Sequence, residues 1–252
     1  MTRNRNASLA TAASALVGAS TYWATMSSQS QLLGAFPNRG LDDDPARPTI
    51  ALTFDDGPNE PFTSRLAELL ERRGALATFF QVGRAVARSP ETTTGLLAAG
   101  HVIGNHSYSH ELHRCFTAGL IDDEIRRAQD VFADKVQLQP RLYRPPWLAR
   151  SPATFGVLRR HHLVPVSGTF CHPLEVAQYR PDRIAIRAVA RARPGGMLIF
   201  HDGYNGRGAD RTRTLDAVAR VVDTLADRGW SFTTVDRLLG VDPYRTAPAL
   251  TP

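Results

Sequence analysis

The sequence predicts an α/β domain whose parallel strands, joined by helical crossovers, close into a barrel. Three observations carry this. From residue 49 onward, short apolar runs alternate with longer amphipathic stretches, the pattern of strand–helix units in one parallel sheet. A chain of 252 residues with 42% hydrophobic content can bury one barrel-sized core of about 200–250 residues. The polar residues of chemical interest follow the ends of strands, where barrel active sites lie.

The elements follow in chain order. Residues 35–48 hold three prolines and the run Asp42-Asp43-Asp44, and read as a linker or loop. Strands are expected at 49–54, 77–82, 101–104, 142–144, 163–166, 197–200 and 231–235, each a short apolar run. Helices are expected between them at 63–73, 90–99, 121–136, 152–161, 182–192 and 212–228, where apolar residues recur at helical spacing. Gly74, Gly100 and Gly229 fall where helix C-caps belong, just before the next strand. There is no internal repeat, so the expected organisation is an N-terminal segment (1–48), one domain (49–240) and a flexible, proline-containing tail (241–252).

The formal charge is +6, but Lys135 is the only lysine and the arginines are scattered. Without a basic block or basic-aromatic interleaving, a nucleic-acid partner is excluded, while a weak attraction to anionic cell-wall polymer stays open. Cys115 and Cys171 form no CxxC or disulfide framework and read as two small, partly buried thiols. Arg3 and Arg5 precede an uncharged, Ala-rich stretch from 7 to 26, with Val17-Gly18-Ala19 as small residues for cleavage. That outline fits a secretory signal and favours a secreted or cell-envelope protein over a cytoplasmic one. Ser and Thr interrupt it too often for a membrane span, and a retained N-terminal helix is the alternative.

The chemistry concentrates in four segments. In Thr53-Phe54-Asp55-Asp56-Gly57-Pro58, two adjacent carboxylates close a strand. Like charges there need a partner, and a metal ion on one leaves the other free for proton transfer. In His106-Ser107-Tyr108-Ser109-His110, two imidazoles four residues apart suit one metal. With Asp56 they make a set used by zinc hydrolases and by non-haem iron oxygenases alike. In Arg144-Pro145-Pro146-Trp147, prolines stiffen a loop whose arginine can grip a carboxylate. Leu198-Ile199-Phe200-His201-Asp202-Gly203 puts a histidine at the end of a buried strand, a candidate general acid beside a hydrolytic metal. The chain has no GxSxG elbow, P-loop or GxGxxG after a strand, and a Cys115 or Cys171 nucleophile beside a histidine is the remaining hydrolytic alternative.

These four segments occur in the order and at the spacing of the polysaccharide deacetylases, the NodB-type carbohydrate esterases, and the chain resembles that family from about residue 49 to 239. Gly100-His101-Val102-Ile103-Gly104-Asn105 and Phe232-Thr233-Thr234-Val235 are also similar, and Ser30-Gln31-Leu32-Leu33-Gly34 resembles a leader of some bacterial members. The resemblance implies a distorted (β/α)7-type barrel that removes acetyl groups from N-acetylated, sometimes O-acetylated, sugars. It implies that Asp56, His106 and His110 bind a divalent metal, usually zinc, with Asp55 as base and Arg144 orienting it. It further implies an oxyanion donor in the Trp147 N–H, a leaving-group acid in His201, and an acetyl-methyl pocket lined by Ile199.

One segment departs from the family pattern. Gly168 stands where a Trp is expected, and Leu174 lies near the expected Asp that holds the catalytic histidine. Glu175 or His172 is left for that task. Without a carboxylate partner, His201 would have a lower pKa and a less fixed tautomer. Three functions therefore compete. The first is an N-deacetylase of chitin- or peptidoglycan-like glycans; the second is a deacetylase of small acetamides on the same barrel. The third is a catalytically weak carbohydrate- or cell-wall-binding homologue. No membrane association is expected beyond the possible N-terminal signal.

Overall fold

The structure, a computed structural model, describes residues 16–40 and 48–245. The arginines of the signal outline, Asp42-Asp43-Asp44 and the end of the tail lie outside the described residues. Strand β1 (Thr49–Asp55) is the centre of one sheet. On one side follow β2 (Thr78–Gln81), β3 (Val102–Asn105), β4 (Leu142–Tyr143) and β5 (Val164–Pro165). On the other lie β7 (Gly196–His201) and β6 (Thr169–Phe170), while β8 (Ser231–Thr233) pairs with the first half of β1. Every pairing is parallel. The curled sheet, with helices packed outside it, is the distorted barrel the sequence predicts. The strand order ends at β5 and β6, leaving a seam between them.

The period-2 alternation of β1 divides the core. Ile50, Leu52 and Phe54 face outward and pack under α2 (Phe62–Glu71) and α8 (Thr212–Ala226). Phe54 stacks on Phe79 with ring centroids 5.1 Å apart. Ala51 faces inward with Phe80, Leu142 and Met197 over an apolar floor, closed by Val235 and Leu238 of the short helix α9 (Val235–Leu239). Thr53 and Asp55 continue that inner row upward, so the same alternation that builds the core aims Asp55 into the barrel mouth.

The other predicted helices are α4 (Pro90–Ala98), α5 (Ala118–Val136), α6 (Pro152–Arg160) and α7 (Pro181–Arg191), each within three residues of expectation. Gly74, Gly100 and Gly229 follow their helices at positive φ. The sequence did not reveal α3 (Gly83–Val86), α9 or β6. Each is too short to repeat a helical or strand period.

Contacts hold both ends of the described residues: the Tyr244 hydroxyl accepts the Ile103 N–H at 3.0 Å, and the Arg141 N–H donates to the Pro243 carbonyl at 2.8 Å. Helix α1 (16–26) is followed by a segment whose Phe36 is buried, so residues 35–40 of the expected linker belong to the packed body. No helix among the described residues is long and apolar enough to cross a membrane.

Candidate metal and catalytic site

Strands β1 and β7 run in register with Asp55 opposite His201, which brings two of the four motifs together at the barrel mouth. The chain turns sharply after Asp55, and Asp56 sits at φ 79°. Such left-handed conformations cost a non-glycine residue about 1–3 kcal/mol and cluster at functional sites. Ser107 (φ 68°) and His110 (φ 59°) share this strain. Gly57 is required by close approach, because a Cβ there would lie 2.1 Å from the Asp202 carboxylate.

Asp56, His106 and His110 are buried and bring one ligand atom each within 4.8 Å of one another. His106 Nδ1 lies 2.7 Å from the Arg144 carbonyl, which can only accept. The proton is therefore on Nδ1, and the bare Nε2 faces the cluster. The Asn205 N–H donates to Asp56 Oδ2 at 2.8 Å, whereas buried Oδ1 has no hydrogen-bond partner among the described residues and lies 3.0 Å from His110 Nε2. A buried anionic oxygen facing ring nitrogens calls for a cation. This two-histidine, one-carboxylate donor set fits a divalent metal such as zinc. Burial pushes the Asp56 carboxyl up, but His110 and His106 beside it hold it well below the usual carboxylate range.

Asp55 stays beside this cluster without joining it. Its Oδ1 pairs with the Arg144 guanidinium at 2.7 Å, and its Oδ2 lies 4.0 Å from His106 Nε2. Arg144 is fully buried over the Phe80 ring and also donates to Thr53 Oγ1 and to the Ser167 carbonyl. Burial lowers the Arg144 pKa, and Asp55 offsets this.

Opposite Asp55, His201 Nδ1 lies 2.7 Å from Glu175 Oε2. Glu175 is buried, and its other oxygen accepts the Thr214 hydroxyl at the start of α8. Burial lowers the His201 pKa, but Glu175, with Asp56 and Asp55 beyond, outweighs it and lifts the ring to about 9. His172 does not compete. Its ring stacks on Tyr179 and its Nδ1 accepts the Leu174 N–H.

A cavity of about 170 Å³ opens among these groups, walled by Leu148, Phe170 and Val176 and reaching Trp147, Tyr204 and Asn205. Ile199 stops short of it, two residues below His201 on the inner face, buried against Phe36 and Leu148. Trp147 and Leu148 adopt φ of 60° and 54°, and the Trp147 ring lies 5.2 Å from that of His110. A larger groove of about 580 Å³ between α7 and α8 contains none of the motif residues. Cys115 and Cys171 are buried free thiols; burial lifts the first to about 12 and the second well above its ordinary value, which removes both as nucleophiles.

The family described as polysaccharide deacetylase matches residues 42–166. A peptidoglycan-N-acetylglucosamine deacetylase of Bacillus cereus is 32% identical over 191 residues, covering 75% of this chain and 87% of that relative. This chain belongs to the polysaccharide deacetylase family. A chitooligosaccharide deacetylase of a Bradyrhizobium species is 30% identical, covering 72% of this chain and 86% of its own. The solved peptidoglycan deacetylase PdaC of Bacillus subtilis superposes with a TM-score of 0.66 at 30% identity, over 77% of this chain and 91% of that one.

Within this family member, several site residues escaped sequence reasoning. Asn205 is one, held in a turn whose carbonyls accept from Arg84 and Arg88. Glu124 is another: it accepts the Tyr108 and Ser109 N–H groups and the Ser109 hydroxyl, fixing the loop between His106 and His110. Its signal was present, since Glu124 lies on the buried stripe of α5 with Ile121, Ile125 and Ala128. We expect Glu124→Ala to weaken metal affinity about 10–100-fold, as loss of an outer-shell partner does; calorimetric zinc titration checks it, and unchanged affinity would refute the role.

Proposed function

We propose that this chain is a metal-dependent deacetylase that removes the N-acetyl group from N-acetylglucosamine units of a chitin- or peptidoglycan-like glycan, with zinc as the metal. The observation that carries this is Asp55, locked at 2.7 Å by Arg144, beside the Asp56–His106–His110 cluster and facing His201. The names of the relatives point to the same substrate class.

When bound, the metal supplies Lewis acidity toward the acetyl carbonyl and toward water. The protein supplies the rest. Arg144 occupies Asp55 Oδ1 and leaves Oδ2 on the cluster side to take a proton from the attacking water. In this reading the Trp147 N–H donates to the charge on the acetyl oxygen, where one lost donor costs about 2.7–4 kcal/mol. Glu175 fixes the His201 tautomer through Nδ1, so Nε2 delivers the proton to the leaving nitrogen. Leu148, Phe170 and Val176 wall a space suited to an acetamido group, and the half-exposed Trp147 and Tyr204 at its mouth suit a sugar ring.

Acetate release from N-acetylated chitooligosaccharides and peptidoglycan, abolished by EDTA and restored by zinc, is the expected result. Release from small acetamides alone would replace the glycan with a small-molecule substrate. Glycan binding without hydrolysis would leave a binding protein.

Glu175→Gln gives a pH test. His201 must be protonated to act, so activity falls as pH rises through its pKa. In the wild type that limb lies at or below about 9, since a bound cation lowers the value set by Glu175. Removing the Glu175 charge takes away the largest influence raising the His201 pKa, so the alkaline limb of kcat/KM should move to lower pH. An unmoved limb would show that Glu175 does not tune His201.

A further inference from the structure

The seam between β5 and β6 is crossed by residues 25–40, a strap that lies ahead of the matched family region. Three lines of contact join it to the site. The Ser167 N–H and hydroxyl donate to the Pro37 and Ser28 carbonyls at 2.8 and 2.9 Å, while the Ser167 carbonyl accepts Arg144, the residue that holds Asp55. The buried Arg150 guanidinium donates to the Ser27, Ser30 and Leu148 carbonyls at 2.7, 2.8 and 2.9 Å. That ties the strap to the left-handed Trp147–Leu148 turn. Phe36, under the Arg150 cation and 1% exposed, packs with Leu148 and Ile199 behind the cavity wall. At Gly168, the position of the expected Trp, even a Cβ would lie 2.7 Å from Ile199. Phe36 of the strap, edge-on to Phe155 of α6, is aromatic support behind this wall.

We infer that residues 25–40 are a built-in brace behind the active-site wall. Phe36 and Arg150 act as positioning residues that hold Arg144 and the Trp147–Leu148 turn in register with the metal cluster. This rests on the deacetylase function proposed above. The metal-facing residues sit just after β1 and after β3, and none of the strap's own bonds reaches them, so the strap should govern turnover and not metal loading.

The test uses the full chain. Phe36→Ala and Arg150→Met, assayed well below their melting temperatures, should lose up to about 10²-fold in kcat, the scale of an ångström-sized misplacement. Bound zinc should stay at the wild-type level. Phe36→Leu should restore most of the rate, and Leu32→Ala, on the exposed side of the strap, should change nothing. Variants that melt earlier but turn over normally would reduce the strap to a stabilising wrap and overturn the inference. Native-state hydrogen exchange on the wild type decides the matter even if a variant fails to fold. The Leu148, Ala149 and Ser167 amides should open together with Gly34 and Phe36; protection that persists at Leu148 after Phe36 has opened would overturn it. If the wild type itself releases no acetate, the proposed function fails, and the exchange result still judges the strap.

Discussion

Asp55→Asn is expected to bind zinc as the wild type does and to lose about 10²–10⁴-fold in kcat, the range for loss of a general base. The separation of these two effects follows from geometry. Asp56, not Asp55, groups with His106 and His110 as the candidate ligand set, and Asp55 is turned toward Arg144 at 2.7 Å. Asparagine keeps the shape and one acceptor for Arg144 but cannot take a proton. Because the pair is buried, the variant also loses stability, by up to about 3–5 kcal/mol if the Arg144 charge is left uncompensated. Activity must therefore be compared at a temperature where both proteins are folded by circular dichroism. Near-normal turnover with full zinc occupancy would remove Asp55 from the mechanism. Lost zinc would make it a metal ligand.

His201→Ala should lose a comparable factor, about 10²–10⁴-fold, on an N-acetyl substrate, because an amine leaves poorly unless protonated. The loss should be much smaller on an aryl acetate, whose leaving phenolate needs no proton. The comparison isolates leaving-group protonation from every other role His201 could have. Metal content should not change, since His201 lies outside the cluster and its Nδ1 is engaged by Glu175. Equal losses on amide and aryl ester would refute the general-acid role and point to transition-state charge stabilisation instead.

What the sequence made legible was local. Asp55, Asp56, His106, His110, Arg144 and His201 each stand at or just beyond a strand end, and each strand end was marked by an apolar run closing on a turn. One alternation therefore marked both the sheet and the candidate site. The partner of His201 was legible only as a pair of candidates. Residues 167–175 carry no period, and only the chain path shows Glu175 turned inward under Thr214 while His172 faces Tyr179. Ile199 was placed on the right strand and face, but one layer too high; Leu148 and Phe170, from a strained turn and a two-residue strand, took its place in the wall. The strap was hidden for a different reason. The bonds that tie it to Ser167 and Arg150 are accepted by its backbone carbonyls, which leave no trace in residue type, and its last residues fall in the proline-containing stretch 35–48, whose composition is that of a linker.

Arg144 belongs to both halves of the centre at once. Its carbonyl oxygen sets the His106 tautomer, and its guanidinium sets the orientation of Asp55. The first link is made by the main chain and survives any substitution at 144; the second is made by the side chain and does not. Point mutation can therefore uncouple the base while sparing the metal cluster. A shift of the β4 end would carry both out of alignment together, so the geometry of the centre has a single mechanical reference point.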